Sequence, residues 1–328
     1  MIRIAHLLDD FAMGGVTRAL GVFEEPELSA IADSSVHAMK PGSLVAPALD
    51  AEIIVTHFPP SWRGLAFHAG LRARNRHARI VHVEHTYTDA FERREVRSLP
   101  RFRAMLRAHA RLVDEIVCVS NAQRRWLVAA SRIGAAKART IYPWSGRDAL
   151  LELEPPAVRG SPDVPLRFGA YGRFSEVKNF AALIEAVGAY PDSCSLLLGG
   201  SGPLEGELAR AAAPHSNVAL AGQVEDVAAF LARVDAVIVP SFSESYGLVA
   251  TEARLAARPI LVADVGGLPE QVGQGGLSAP MHDAQSIGAA IDRFRAMPLA
   301  DMGMAAREEA RGIRAGVIAG WVDLLTGR

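Results

Sequence analysis

The sequence predicts an α/β protein built from two doubly wound parallel-sheet domains, and three observations carry that prediction. Short β-rich apolar runs alternate with helical patterns along the chain. The alternation breaks once, over a proline-rich stretch, and then restarts. The 328 residues, 50% of them hydrophobic, suffice for two separate cores. The expected division is 1–150 for the first domain, 151–165 for a linker and 166–328 for the second. The last helix is a candidate to pack back on the first domain, and a ligand is expected in the cleft between the two.

In the first half, Ile2–Leu8, Ile53–His57, Ile80–Glu84 and Glu115–Ser120 read as buried strands, each followed by a helical or loop segment. Residues 121–131 open like a helix capped by Asn121. Residues 26–50 carry little pattern. Between Pro143 and Pro165 lie Pro155, Pro156, Gly160 and Pro162 without periodicity, as in an interdomain hinge. Beyond it, strands are expected at Leu166–Tyr171, Ser195–Leu198, Val218–Leu220, Ala236–Val239 and Ile260–Val262. Helices are expected at Asn179–Ala189, Leu204–Ala212, Val227–Ala232 and Leu248–Ala256, with consecutive helices from Ala284 to Leu325.

Composition removes several function classes. Two cysteines, Cys118 and Cys194, supply neither a disulfide framework nor a four-thiolate zinc site. Cys118 sits in the run Ile116-Val117-Cys118-Val119 and reads as a buried, reduced, inert thiol, which favours a reducing compartment. No apolar run reaches the roughly 18–20 residues of a membrane span, and the first strand is too short for a signal peptide, so a cytoplasmic protein is expected. The net charge of −1 hides a split. Residues 1–150 hold 21 basic against 15 acidic side chains, or +6, and the remainder is −7. Arginines cluster at 72, 74, 76 and 79 and again at 93, 94, 97, 101, 103 and 107. Such a face suits nucleic acid, a phosphorylated substrate or peripheral contact with the anionic inner face of a membrane, or is simply solvated arginine.

The densest chemistry lies in Pro240-Ser241-Phe242-Ser243-Glu244-Ser245-Tyr246-Gly247-Leu248, followed by Glu252. A buried strand ends at Val239 and a helix opens near Gly247, a corner that faces the ligand edge of an open α/β sheet. Ionised carboxylates there can accept hydrogen bonds from neighbouring hydroxyls of a polyhydroxyl ligand, and helix N-terminal amides can face an anion such as diphosphate. The same residues also fit a helix-capping acid at Glu244 and a surface carboxylate at Glu252. In the first half, Met13-Gly14-Gly15 follows the first strand, and paired glycines permit close backbone approach to a phosphate or sugar. His82 and Glu84 share one strand face opposite Val81 and Val83; His85 lies at the strand's end, and His57 ends another strand.

The segment from Asp235 to Pro269 resembles the signature of the retaining GT-B glycosyltransferases of family 4, whose two glutamates have seven residues between them, here Glu244 and Glu252. Tyr171-Gly172-Arg173-Phe174-Ser175-Glu176-Val177-Lys178-Asn179 resembles that family's Gly-Arg…Lys loop. Leu198-Gly199-Gly200-Ser201-Gly202-Pro203-Leu204 resembles its glycine loop, and Glu225-Asp226-Val227 its turn beside the nucleotide base. The resemblance covers residues 166–328. It implies a metal-independent hexosyltransferase of GT-B fold that moves a sugar from a nucleotide-diphosphate donor to a glycan or lipid-linked acceptor, with no cofactor and no nucleic-acid partner. Glu252 would bind the ribose and Glu244 the donor sugar. Arg173 and Lys178 would neutralise the diphosphate, and His85 would stand near the transferred sugar. Backbone at Gly14, Gly15, Gly172, Gly202, Tyr246, Gly247 and Leu248 would frame the donor.

Fixed cations at the diphosphate make physical sense by themselves, since charge builds there as the phosphate–sugar bond breaks. Lys178 is one of three lysines against 32 arginines. Departures from the family pattern are Ala257-Arg258-Pro259 in place of Gly-x-Pro, and Pro143-Trp144-Ser145-Gly146 in place of an Asn-Gly turn. Two other readings stand beside this one. A GT-B nucleotide-sugar 2-epimerase would use the same donor without an acceptor, and a catalytically silent subunit would bind it without turnover. Gly200-Ser201-Gly202 with Gly206 is a poor dinucleotide fingerprint, and Asp9-Asp10 is no Asp-x-Asp metal motif, so a dehydrogenase and a metal-dependent transferase are both disfavoured.

Overall fold

A computed structural model describes residues 1–9, 15–156 and 165–327. The chain divides into two compact units, Met1–Gly146 with Ile313–Arg328, and Arg147–Gly312. The first unit runs β1 Ile2–Leu8, α1 Gly15–Ala19, α2 Pro26–Ser29, β2 Ala32–Ala38, β3 Ile53–Thr56, α3 Gly64–Arg74, β4 Arg79–Glu84, α4 Asp89–Glu95, α5 Leu99–Ala110, β5 Glu115–Cys118, α6 Asn121–Ser131 and β6 Ala138–Thr140. The second runs β7 Leu166–Tyr171, α7 Phe180–Gly188, β8 Cys194–Gly199, α8 Glu205–Ala212, β9 Val218–Gly222, α9 Val227–Ala232, β10 Ala236–Val239, α10 Leu248–Leu255, β11 Ile260–Ala263, β12 Gly276–Ala279, α11 Ala284–Arg295 and α12 Leu299–Ala310. The final helix, α13 Ile313–Thr326, belongs to the first unit.

Each unit holds one six-stranded sheet, in the orders β2-β1-β3-β4-β5-β6 and β12-β11-β10-β7-β8-β9. Every pairing is parallel. Helices cover both faces of such sheets, so central strands lose their polar alternation; all four residues of β3, β5, β10 and β11 are buried. In the first unit, Leu7, Ile54, Leu71, Ile80, Leu106 and Ile116 anchor the packed side. α13 is held there by Phe23 edge-on to Trp321, by Arg79 donating to the Leu324 carbonyl at 2.7 Å, and by Arg314 paired with Glu25 at 2.5 Å.

Several expectations need correction. α6 is capped by Ser120, whose hydroxyl accepts from the Gln123 amide at 3.2 Å, and Asn121 is its first helical residue. Residues 26–50 contain an edge strand, β2; its sequence Ala-Asp-Ser-Ser-Val-His-Ala is polar because it is mostly exposed. Over the part described, the proline-rich stretch expected as a linker is held to the second unit. Residues 148–152 form a 3₁₀ turn, and buried arginines grip the segment: Arg258 donates to the Glu154 carbonyl at 2.8 Å and Arg307 to that of Leu153. Gly160 and Pro162 lie outside the described residues. Among the described residues no helix is long and apolar enough to cross a membrane.

The two arginines also explain Ala257-Arg258. Arg258 is 2% exposed and donates to the Ala256 carbonyl, and Arg307 donates to that of Leu255 at 3.1 Å. They thereby satisfy the C-terminal end of α10, where cations are favoured. Burial pushes the Arg258 guanidinium down to about 10. Ala257 itself has φ +55°, the left-handed conformation that glycine adopts freely. Ala257→Gly is therefore expected to stabilise this unit by about 0.5–1 kcal/mol, net of one buried methyl. The check is a thermal melt, in which an unchanged or lower Tm would refute the strain.

Candidate active site

In the second sheet β7 lies between β10 and β8, so the chain winds in opposite directions from the β7/β10 pair. Loops leaving the carboxyl ends of these two strands diverge and open a crevice. The β7 loop carries Gly172, Arg173 and Lys178, and the β10 loop carries Ser241 and Glu244. Here the predicted charges meet. Lys178 Nζ lies 2.5 Å from Glu244 Oε2, which also accepts from the Ser241 hydroxyl at 3.3 Å. The Phe242 amide donates to the Val177 carbonyl at 2.8 Å and ties the two loops together. Both charged side chains keep partial exposure, 23% for Lys178 and 17% for Glu244. Arg173 stands exposed on the same loop and has no ion-pair partner among the described residues.

Two glycines make this crowding possible. A Cβ on Gly200 would sit 1.9 Å from the Gly172 carbonyl oxygen, and one on Gly266 would sit 1.7 Å from that of Glu244. Both have positive φ, +143° and +54°. The loop after β8 thus lies backbone-on-backbone against the loop after β7: Phe174 N donates to Ser201 O at 2.8 Å, with Gly202 against Phe174. On the other side, Gly266-Gly267 wraps the backbone of Glu244, the Gly267 amide donating to its carbonyl at 3.2 Å. Gly247 opens α10 and Leu248 is its first residue, so the unpaired amides of that helix end lie at the same corner. The Tyr246 ring is buried, which pushes its phenol up, and its carbonyl accepts from Gln271 at 2.6 Å. Asp226, in the turn expected beside the base, caps α9 by accepting from the Ala229 amide at 2.9 Å.

Glu252 is not a surface carboxylate, for it is 1% exposed. Tyr171, the last residue of β7, donates its hydroxyl to Oε2 at 2.6 Å, and Arg147 Nε lies 3.1 Å from Oε1. Neither partner was singled out in the sequence. Arg147 lies more than a hundred residues away, and Tyr171 reads as an ordinary strand residue.

In the first unit, His85 Nε2 meets His57 Nδ1 at 3.1 Å, and His57 Nε2 meets His6 Nδ1 at 2.9 Å. Each contact shares one proton, so the tautomers of the three rings are coupled. Burial pushes His85 down to about 4, His6 to about 3 and His57 well below its usual range, and repulsion among the rings adds to the shift at His57. At neutral pH the relay is uncharged, and His85 offers a hydrogen bond rather than a cation. His57 and His85 line a cavity of about 20 Å³ with Val16, Phe23, Trp144 and Trp321, roughly the room for one water. Gly15 starts α1; Gly14 lies outside the described residues. His6 was missed because a strand covered on both faces has no polar alternation to flag it. Cys118 is buried, and burial pushes its thiol up, as expected of an inert core cysteine.

Two Rossmann-like units, one with a cation–carboxylate pair and a glycine loop at its switch point, define the class of GT-B sugar-nucleotide enzymes. The family model "Glycosyl transferases group 1" matches residues 165–296, and "Glycosyltransferase Family 4" matches residues 42–144. The chain belongs to the group 1, family 4 glycosyltransferases. It is 29% identical over 216 residues to a D-inositol 3-phosphate glycosyltransferase of Mycobacterium sp. (strain JLS), covering 60% of this chain and 48% of that protein. It is 36% identical over 155 residues to the one of strain KMS, covering 42% and 34%. The matched stretch thus spans half or less of these curated relatives. Among solved structures, Anabaena Alr3699/HepE in complex with UDP and glucose has TM-score 0.78 at 18% identity over 100% of both chains. Sucrose-phosphate synthase from Thermosynechococcus elongatus has TM-score 0.77 at 20% identity, over 100% of this chain and 99% of that one. These two likenesses establish the GT-B fold.

Proposed function

We propose that this protein transfers a sugar from a nucleotide-diphosphate donor to a glycan or lipid-linked acceptor, with retained configuration and without a metal in the chemistry. The observation that carries the reading is the Lys178–Glu244 pair at the switch point, beside Arg173 and against a backbone-packed glycine loop. The bond from the sugar's anomeric carbon to the diphosphate breaks on the face where the acceptor oxygen attacks. The acceptor's proton passes to a leaving phosphate oxygen. Lys178 and Arg173 offset the charge that builds on the diphosphate, Glu244 holds sugar hydroxyls, and His85 orients the sugar as a neutral imidazole. A carboxylate offers about four lone-pair sites, so Glu252 can keep Tyr171 and still accept a ribose hydroxyl once the Arg147 guanidinium swings aside.

A thermal-shift panel of UDP-, GDP- and ADP-sugars tests donor binding. At about 100 times its Kd the right donor stabilises the folded protein by about 2.7 kcal/mol, and the shift should vanish in Glu252→Ala. Indifference to every donor would defeat the proposal. Binding with donor-only isomerisation would point to an epimerase, and binding without any turnover to a silent subunit.

For the acceptor side, we place a cytoplasmic enzyme peripherally on the inner face of a membrane. Arg72, Arg79, Arg93 and Arg103 are spent on acidic partners. Exposed Trp62 and Leu99, with Arg101 5.9 Å over the Trp62 ring, supply the apolar and cationic mixture an anionic bilayer favours. Cosedimentation with anionic vesicles should occur and fall with salt; its absence or salt-insensitivity removes this part.

A further inference from the structure

The first unit contains a second histidine cluster, separate from the His6–His57–His85 relay. His68 of α3, His82 of β4 and His109 of α5 are 1%, 1% and 2% exposed. Each offers a ring nitrogen within 4.8 Å of the other two. Their rings stand nearly perpendicular, with His109 centred 4.4 Å from His68 and 4.6 Å from His82. The Nε2 atom of each is buried without a hydrogen-bond partner among the described residues.

Such atoms are costly, since a desolvated imidazole nitrogen forgoes its bond to water and receives nothing in return. Three in one place call for a shared partner. The far side of two rings is already fixed. His68 Nδ1 donates to the Gly64 carbonyl at 2.9 Å, and because a carbonyl only accepts, the proton is on Nδ1 and the neutral ring's Nε2 is a bare lone pair. His82 Nδ1 lies 3.0 Å from the Thr56 hydroxyl. An imidazole whose outer nitrogen is tied to a carbonyl or hydroxyl while its inner one is open is the arrangement of a metal-bound histidine. An anionic donor stands beside His82, outside the group whose ligand atoms all lie within 4.8 Å of one another. Glu84 is 1% exposed, its Oε1 is fixed by the Thr86 and Tyr87 amides at 2.8 and 2.9 Å, and its Oε2 lies 3.6 Å from His82 Nε2.

We propose that His68, His82 and His109, with Glu84 as the fourth donor, form a buried zinc site that pins α3, β4 and α5 together. Three neutral imidazoles and one carboxylate suit a borderline divalent cation of tetrahedral preference, and the absence of thiolate from the set disfavours copper(I). Zinc–nitrogen bonds of about 2.0–2.1 Å require the three rings to draw inward from their present spacing, and Glu84 to turn from His82 toward the centre they share. The site is closed to solvent, so its role is structural.

The test uses the full chain, stripped with a chelator and titrated with zinc chloride. About one zinc per chain by elemental analysis, with a rise in Tm that the chelator reverses, is expected. Cobalt(II) should give the intense visible absorption of a tetrahedral centre. The double variant His68→Gln, His109→Gln should lose both signals. X-ray absorption on the zinc-loaded wild type needs no variant: it should show a light-atom shell at about 2.0–2.1 Å with imidazole outer-shell scattering. Failure of the stripped wild type to take up zinc, a shell without imidazole, or full zinc retention by a folded double variant would each overturn the site.

Discussion

Lys178→Ala is expected to lower kcat by roughly two to three orders of magnitude while changing the donor's KM only a few-fold. The asymmetry follows from when the charge appears. In the proposed ground state the diphosphate is already anionic and would have Arg173 and the α10 amides beside it, so losing one cation should weaken binding modestly. In the proposed transition state another negative charge moves onto the leaving oxygen, and Lys178, on a short 3₁₀ turn beside the β7/β10 crevice, would meet it. Lys178 also neutralises Glu244 at 2.5 Å, so the alanine variant strands that carboxylate with only the Ser241 hydroxyl. Lys178→Gln separates the two effects, for it can keep a hydrogen bond to Glu244 while losing the charge. It should fall nearly as far in kcat if transition-state electrostatics dominate. Initial rates with saturating donor decide the matter: wild-type kcat in either variant would refute the role.

The second half was legible because its chemistry is local in sequence. Glu244, Gly247, Leu248 and Glu252 fall within one strand–loop–helix corner, and Gly172 to Lys178 within another, so short motifs that resemble the family's could single them out. What sequence could not show is what those side chains touch. Glu252 read equally as a surface acid because its burial depends on Tyr171 and Arg147, neither near it along the chain. Strands covered on both faces were found by their continuous apolar runs, as at Ala236–Val239. The mostly exposed edge strand Ala32–Ala38 was lost, because its polar residues carry no such signal. The histidines were least legible. His6, His57, His68, His82 and His109 lie on separate strands, helices and strand ends with no regular spacing, and only the sheet order brings them together.

That convergence gives the first unit a steep acid limit. His6, His57 and His85 are held neutral by burial, with folded values near 3 for His6 and 4 for His85 and a strong downward shift for His57. An unfolded histidine titrates near 6.5. Above about pH 6.5 neither state binds these protons and the full stability is present. As pH falls below that point the unfolded chain takes up protons that the folded unit refuses, so stability drops until the folded rings titrate. Each such histidine contributes a slope of about 1.4 kcal/mol per pH unit, and these three give about 4; in the metal-free chain His68 and His109, pushed down by burial as well, add to it. By pH 5 the loss from the three alone is about 6 kcal/mol, comparable to the whole stability of an ordinary domain. All four tryptophans, Trp62, Trp126, Trp144 and Trp321, lie in this unit, so their fluorescence reports its unfolding alone. The urea midpoint read that way should hold between pH 8 and 7 and fall steeply from about pH 6.5 to 5. His57→Gln keeps a hydrogen-bonding side chain and removes one titration, so the slope should shrink by about 1.4 kcal/mol per pH unit. A midpoint that stays level down to pH 5 would show that these rings accept protons in the folded state, and the neutral relay assigned to His85 would be wrong.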